Sequence, residues 1–225
     1  MAYKKEHIPL IYDRRKSSRE FILKVSLLDA PLPIYRRLSV PSNIRLCHLA
    51  PVILRAMGWV GYHLEEFEKG KTTYARKESV EYYESEMSDE LGEQFIDWAM
   101  VTLGDVIKDK GDTITYVYDL GDDWKHEVKL MEVSNYSPKS DPDVYLLGGE
   151  NACPPDDVGG VDGYRRMLDL LQHPDDDYEE AASYTQWLPE GFDENLFSIR
   201  DTKLRIDDYL RGVRTVQQMM GDKYN

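Results

Sequence analysis

The chain has 225 residues, of which 41% are hydrophobic and 31% charged, with a formal net charge of -14. That length supports one to one and a half domains with a real core. The charge excludes a broad phosphate-binding surface, which needs clustered Lys and Arg; it leaves an acidic surface that serves solubility, meets a basic partner or occupies a DNA-binding site on another protein.

Two cysteines, Cys47 and Cys153, lie far apart, so neither a disulfide framework nor a thiolate zinc site is indicated. The longest apolar runs fall far short of the roughly 18 residues of a membrane span. No signal peptide is visible, and a cytoplasmic protein is the expectation.

Met1 to Arg19 is polar and basic, with Lys4, Lys5, Arg14, Arg15, Lys16 and Arg19. Its two aromatics, Tyr3 and Tyr12, do not alternate regularly with these charges as in a nucleic-acid arm, so it reads as a solvated leader. Phe21, Leu23, Val25 and Leu27 alternate as a strand, and Ile34 to Val40 forms a second after the turn Asp29 to Pro33. Asn43 is placed to cap a helix whose apolar stripe is Leu46, Leu49, Ala50, Ile53, Leu54 and Met57, stopped by Gly58. Pro51 inside it predicts a kink near Cys47 to Pro51, and His48 falls off the stripe, as a surface residue would.

Tyr62 to Glu68 reads as a third strand carrying His63, Glu65 and Phe67 on one face. Tyr74 to Met100 is acidic, either a surface helix or an insertion. Thr102 with Asp105 opens a short helix through a variant capping box, and Gly111-Asp112 turns the chain into a central hairpin, Thr113 to Val133.

The side-chain pattern of that hairpin selects its loop. A two-residue turn gives an incoherent face. A three-residue loop at Gly121-Asp122-Asp123 pairs Leu120 with Trp124 and Tyr118 with His126, and gathers Ile114, Tyr116, Tyr118, Leu120, Trp124, His126, Val128 and Leu130 on one apolar face. Asp119 then stands opposite Lys125 as a cross-strand ion pair.

Further on, Cys153-Pro154-Pro155-Asp156-Asp157-Val158-Gly159-Gly160 is a loop with a tightly determined backbone. It leads helices over Tyr164 to Gln172, with Asp162 as the capping acid, and over Tyr178 to Trp187 behind Asp175-Asp176-Asp177. Asp193 is placed to cap a further helix through Phe197 and Ile199, Leu204 to Leu210 extends the helical region, and a frayed tail follows Gly212.

Gly58 to Phe67, Thr102 to Ile107, Tyr116 to Val128 and Ala152 to Tyr164 together resemble the plasmid pRiA4b ORF-3-like domain family, over roughly Phe21 to Leu210. The resemblance implies an α+β roll and an association with plasmids and insertion elements. Many relatives carry a second cysteine where this chain has Val158. A resolvase label found in the family has no support in these residues, since no nucleophilic Ser among arginines on a basic domain is visible.

The expected fold is α+β: a β-grasp-like roll of about five strands, mixed or antiparallel, crossed by one amphipathic helix and closed by a C-terminal helical cover. Residues 1–19 form the leader, 20–133 the roll with an acidic insertion at 75–100, 134–212 the motif loop and helical block, and 213–225 a tail. The candidate site gathers Asp119, Asp122, Asp123, His126, His63, Cys153, Asp156 and Asp157 where the hairpin tip and the Cys153 loop converge.

Carboxylates beside an imidazole suit a divalent metal or general acid-base work; Asp122, Asp123, His126 and Asp156 are the metal candidates, though a bound metal is not the favoured expectation. No HExxH pair, nucleophile elbow, phosphate-binding Gly loop or CxxC is present. The leading expectation is a non-catalytic binding or accessory protein of a mobile element, with a protein or small-molecule partner and neither membrane nor direct nucleic-acid binding. A metal-dependent hydrolase or nuclease using the same residues and an acidic DNA mimic are the alternatives.

Overall fold

A computed structural model describes residues 10–13, 16, 18–86, 92–136 and 143–219. Alternation sets the first hairpin. β1 (Glu20–Leu27) buries Phe21, Leu23, Val25 and Leu27 and half-exposes the residues between them, as a strand with one face in a core must. It pairs antiparallel with β2 (Tyr35–Pro41) across the expected turn.

The amphipathic helix α1 (Leu46–Met57) follows, ended by Gly58 at φ 122°. It runs through Pro51, whose missing N–H costs up to about 3 kcal/mol in a helix interior. Each large aliphatic side chain buried along the stripe contributes roughly 1.5–3 kcal/mol, so packing outweighs the defect.

Asn43 does not cap this helix. Arg45 takes the N-cap position without a side-chain bond, and the Asn43 amide donates instead to the Asp13 carbonyl at 3.1 Å. Ile11 is buried nearby and Tyr12 bridges to Ile44, so residues 10–13 pack on the fold rather than forming a solvated leader. Lys16 pairs with Asp105, whereas Lys4, Lys5, Arg14 and Arg15 lie outside the described residues. His48 is buried, not exposed, because the last helix covers it and sets the Tyr209 hydroxyl 2.8 Å from its Nδ1.

The third strand, β3 (Glu65–Lys69), begins two residues after His63 and turns at Gly70 into β4 (Thr72–Ala75). The acidic interval holds α2 (Lys77–Glu86) and a further strand, β5 (Gln94–Asp97), which pairs parallel with β4. A 3-10 turn (Trp98–Met100) leads to α3 (Leu103–Val106), where the Thr102 N–H donates to Asp105 at 2.8 Å as the capping box requires.

The central hairpin is β6 (Thr113–Tyr118) and β7 (Trp124–Ser134). Its apolar face is as expected from Ile114 to Tyr118 and from Trp124 to Leu130, but the register differs. Tyr118 pairs with Trp124 and Tyr116 with His126, so residues 119–123 form the loop. A shift of two residues preserves every face, which is why alternation alone could not fix it. Leu120 is consequently exposed, Lys125 stands opposite Val117, and Lys125 pairs at 2.6 Å with Asp123 rather than with Asp119.

β8 (Tyr145–Glu150), not anticipated in the sequence, pairs with β2 and completes an eight-stranded mixed sheet of order β5-β4-β3-β6-β7-β1-β2-β8. The C-terminal helices are α4 (Gly160–Gln172), α5 (Tyr178–Trp187) and α6 (Ile199–Met219). Gly159 holds the N-cap position of α4, with Asp162 in its first turn, and Asp177 caps α5 by accepting the Glu180 N–H at 3.1 Å. Asp193 lies in a turn and accepts the Asn195 N–H at 2.9 Å.

α6 continues past Gly212, where a frayed tail was expected. Val213 packs on the core and Arg214 pairs with Asp143 at 2.6 Å, and Asp143 also accepts the Tyr12 hydroxyl. Among the described residues no helix is long and apolar enough to cross a membrane.

Candidate functional site

Three segments meet at one end of the sheet: residues 59–64 between α1 and β3, the 119–123 loop, and residues 152–160 before α4. Trp59 joins the first to the third. Its indole is buried against Tyr118, Trp124 and the edge of His126, and its Nε1–H donates to the Pro154 carbonyl at 2.8 Å. The residues after it turn outward and leave Tyr62, 83% exposed, and Leu64 at the rim.

The hairpin loop is built by its own first residue. Asp119 adopts φ 56°, and its Oδ1 accepts the N–H groups of Gly121 and Asp122 at 3.0 and 3.3 Å, a local bond that short Asp side chains favour in turns. Its backbone N–H donates to the Leu64 carbonyl at 2.9 Å, which ties the loop to the first segment. Asp122 reaches the third segment, where its Oδ2 accepts the Gly159 N–H at 3.2 Å. Asp123 is occupied by Lys125.

With Asp119 Oδ1 committed to the loop, Oδ2 lies 3.4 Å from His63 Nδ1. On the other side of the same ring, Nε2 lies 3.4 Å from Asp157 Oδ1. One ligand atom from each of His63, Asp119 and Asp157 can be chosen so that all three lie within 4.8 Å of one another. Asp156 adjoins the cluster and accepts the Tyr118 hydroxyl at 3.2 Å. Burial pushes the Asp156 carboxyl above the usual range against that hydrogen bond, and the neighbouring Asp157 and Asp119 charges add to the rise.

The two histidines of the expected site therefore have different surroundings. His126 is fully buried under Trp59 and Tyr116; its Nδ1–H donates to the Tyr116 carbonyl at 3.2 Å, and burial lowers its pKa to about 4. A neutral imidazole in the core results. His63, half-buried, is the ring among the acids. Cys153 lines a cleft of about 440 Å³ that Trp59 and Asp156 also line, with Arg36, Phe197 and Arg205, and burial pushes its thiol up to about 12, so it is no thiolate nucleophile.

Sequence reasoning passed over Trp59 and Tyr118 as the residues that hold the loops together. The available signal was the GWVGYH run, where Gly58 and Gly61, both at positive φ, flank Trp59 and Val60.

Residues 19–201 match the family described as Plasmid pRiA4b ORF-3-like protein. The uncharacterized protein y4hQ of Sinorhizobium fredii is 32% identical over 166 residues, which is 73% of this chain and 78% of that protein. Among solved structures, a protein of unknown function, MM3350 from Methanosarcina mazei Go1, superposes with a TM-score of 0.68 at 26% identity, covering 84% of this chain and 98% of that one.

Proposed function

The chain belongs to the plasmid pRiA4b ORF-3-like protein family, and from that premise we propose that it is a non-catalytic accessory protein of plasmids or other mobile elements. It acts in the cytoplasm and binds a protein or small-molecule partner where the three segments converge. The observation that carries this reading is the bracketing of His63 by Asp119 and Asp157 inside a rim of exposed Tyr62, Leu64 and Leu120. A few placed polar groups among apolar residues are how small-ligand sites fix orientation and gain contact area.

Two features favour binding over turnover. Cys153 is held as a thiol, and the deeper imidazole, His126, is sealed in the core and reaches no solvent. The net charge of -14 weighs against nucleic acid as the direct partner.

A photo-crosslinking residue placed at Tyr62 or Leu120, expressed in cells of the native host, tests the proposal against the same residue at Tyr178, which is exposed on α5. The expected result is a discrete adduct from the first two positions alone. Equal labelling at all three, or none at the hairpin end, would overturn it.

A further inference from the structure

We infer that His63, Asp119 and Asp157 form a binding site for one divalent first-row transition-metal ion. This rests on the reading that the convergence of the three segments is the ligand site of the fold, and it names the ligand class.

The geometry is that of ligands rather than of hydrogen-bond partners. His63 Nδ1 lies 3.4 Å from Asp119 Oδ2, longer than the 2.7–3.2 Å of an N–H···O bond. Two donor atoms each about 2.0–2.2 Å from a tetrahedral ion stand about 3.4 Å apart. One ring nitrogen of His63 and one carboxylate oxygen each from Asp119 and Asp157 lie within 4.8 Å of one another, and they come from three stretches of chain.

Electrostatics agree. Among the described residues neither Asp119 nor Asp157 has a Lys or Arg partner. Lys125, the cation at the loop, is engaged by Asp123, and the guanidinium of Arg36 is spent on backbone carbonyls. The two carboxylates would balance a dication held with the neutral imidazole, and Asp156 beside them adds to the negative potential.

The supporting shell is also present. Asp119 Oδ1 is fixed by two backbone N–H groups while Oδ2 is left to the cluster, and hydrogen-bonded carboxylate ligands of this sort are what hold metal sites in shape. The mixed nitrogen and oxygen donors select the class: Mg²⁺ and Ca²⁺ take oxygen sets, while imidazole with carboxylate suits Zn²⁺ and its first-row neighbours.

The test is calorimetric titration of the purified, chelator-stripped full chain with ZnCl₂ and, separately, MnCl₂, alongside His63→Gln, Asp157→Asn and Asp123→Asn. One equivalent should bind to the wild type and to Asp123→Asn, and at least about tenfold more weakly to the other two variants. Absence of saturable binding, or an affinity untouched by both His63→Gln and Asp157→Asn, would overturn the site. Asp157 is the more exposed ligand, 72% accessible at its side chain, so its variant keeps the test decisive should His63→Gln fail to fold. Repeating the crosslinking with chelator present separates the two proposals: adducts at Tyr62 without metal binding sink only the metal site, and metal binding without adducts sinks only the partner surface.

Discussion

Gly160 adopts φ +68°, and a Cβ there would lie 2.6 Å from the Asp122 carbonyl oxygen. Steric strain and the loss of the Asp122 contact combine, so Gly160→Ala should lower the unfolding free energy by about 1–3 kcal/mol, read from urea denaturation. An unchanged midpoint would mean that the two loops do not meet in this way. His126 carries a second prediction. Its folded pKa of about 4 lies below the ordinary value of 6.5, so the unfolded chain takes up the proton first. Stability is therefore full above pH 6.5 and is lost as pH falls toward 4, by up to about 3 kcal/mol. Carboxylates titrate in the same window, but only the His126 contribution disappears in His126→Phe; the melting temperatures of the two proteins should diverge between pH 7 and 4.5, and parallel curves would refute the assignment.

The C-terminal end of α1 is held by arginines. Arg36, buried without a carboxylate partner among the described residues, donates to the carbonyls of Ala56, Tyr35, Glu150 and Asn151 at 2.7–2.9 Å, with Met57 at 3.5 Å. Arg205 from α6 donates to Arg55 at 3.1 Å. Positive charge at a helix C-terminus complements its dipole, and the planar fork lets a single side chain join α1, β2 and the end of β8. A lysine cannot span those acceptors, and buried carbonyls left unpaired are costly. Arg36→Lys should destabilise by about 3–5 kcal/mol, while Arg205→Lys, at a more exposed position, should cost less; equal thermal shifts would contradict the role given to Arg36. At the other end of α6, a chain ended after Gly212 loses the Arg214–Asp143–Tyr12 group and should melt several degrees lower by calorimetry. An unchanged melt would mean the last turns of the helix do not dock.

At the scale of the molecule, all eight strands belong to one sheet, and Trp59, Trp98 and Trp124 share its core. Unfolding followed by far-ultraviolet circular dichroism and by tryptophan fluorescence should therefore give coincident single transitions; separated midpoints would divide the chain into independent units. Local chemistry made much of this legible in advance. The alternation of β1, the stripe of α1, the Thr102–Asp105 box and the Asp177 cap each depend on residues a few positions apart. The hairpin faces were legible too, since a slip of one residue turns every side chain over, but the loop length was not, because a slip of two changes no face. β4 and β5 are only four residues long, and β5 and β8 pair with strands distant in sequence, so little in their own residues announced them. The acids of the candidate site were readable as chemistry. His126 was readable as part of the hairpin's apolar face, but that His63 faces the acids was not, since His63, Asp119 and Asp157 come from three separate stretches of chain. Only assembly of the sheet, by closing Trp59 and Tyr116 over one ring, sealed His126 in the core and left His63 between Asp119 and Asp157.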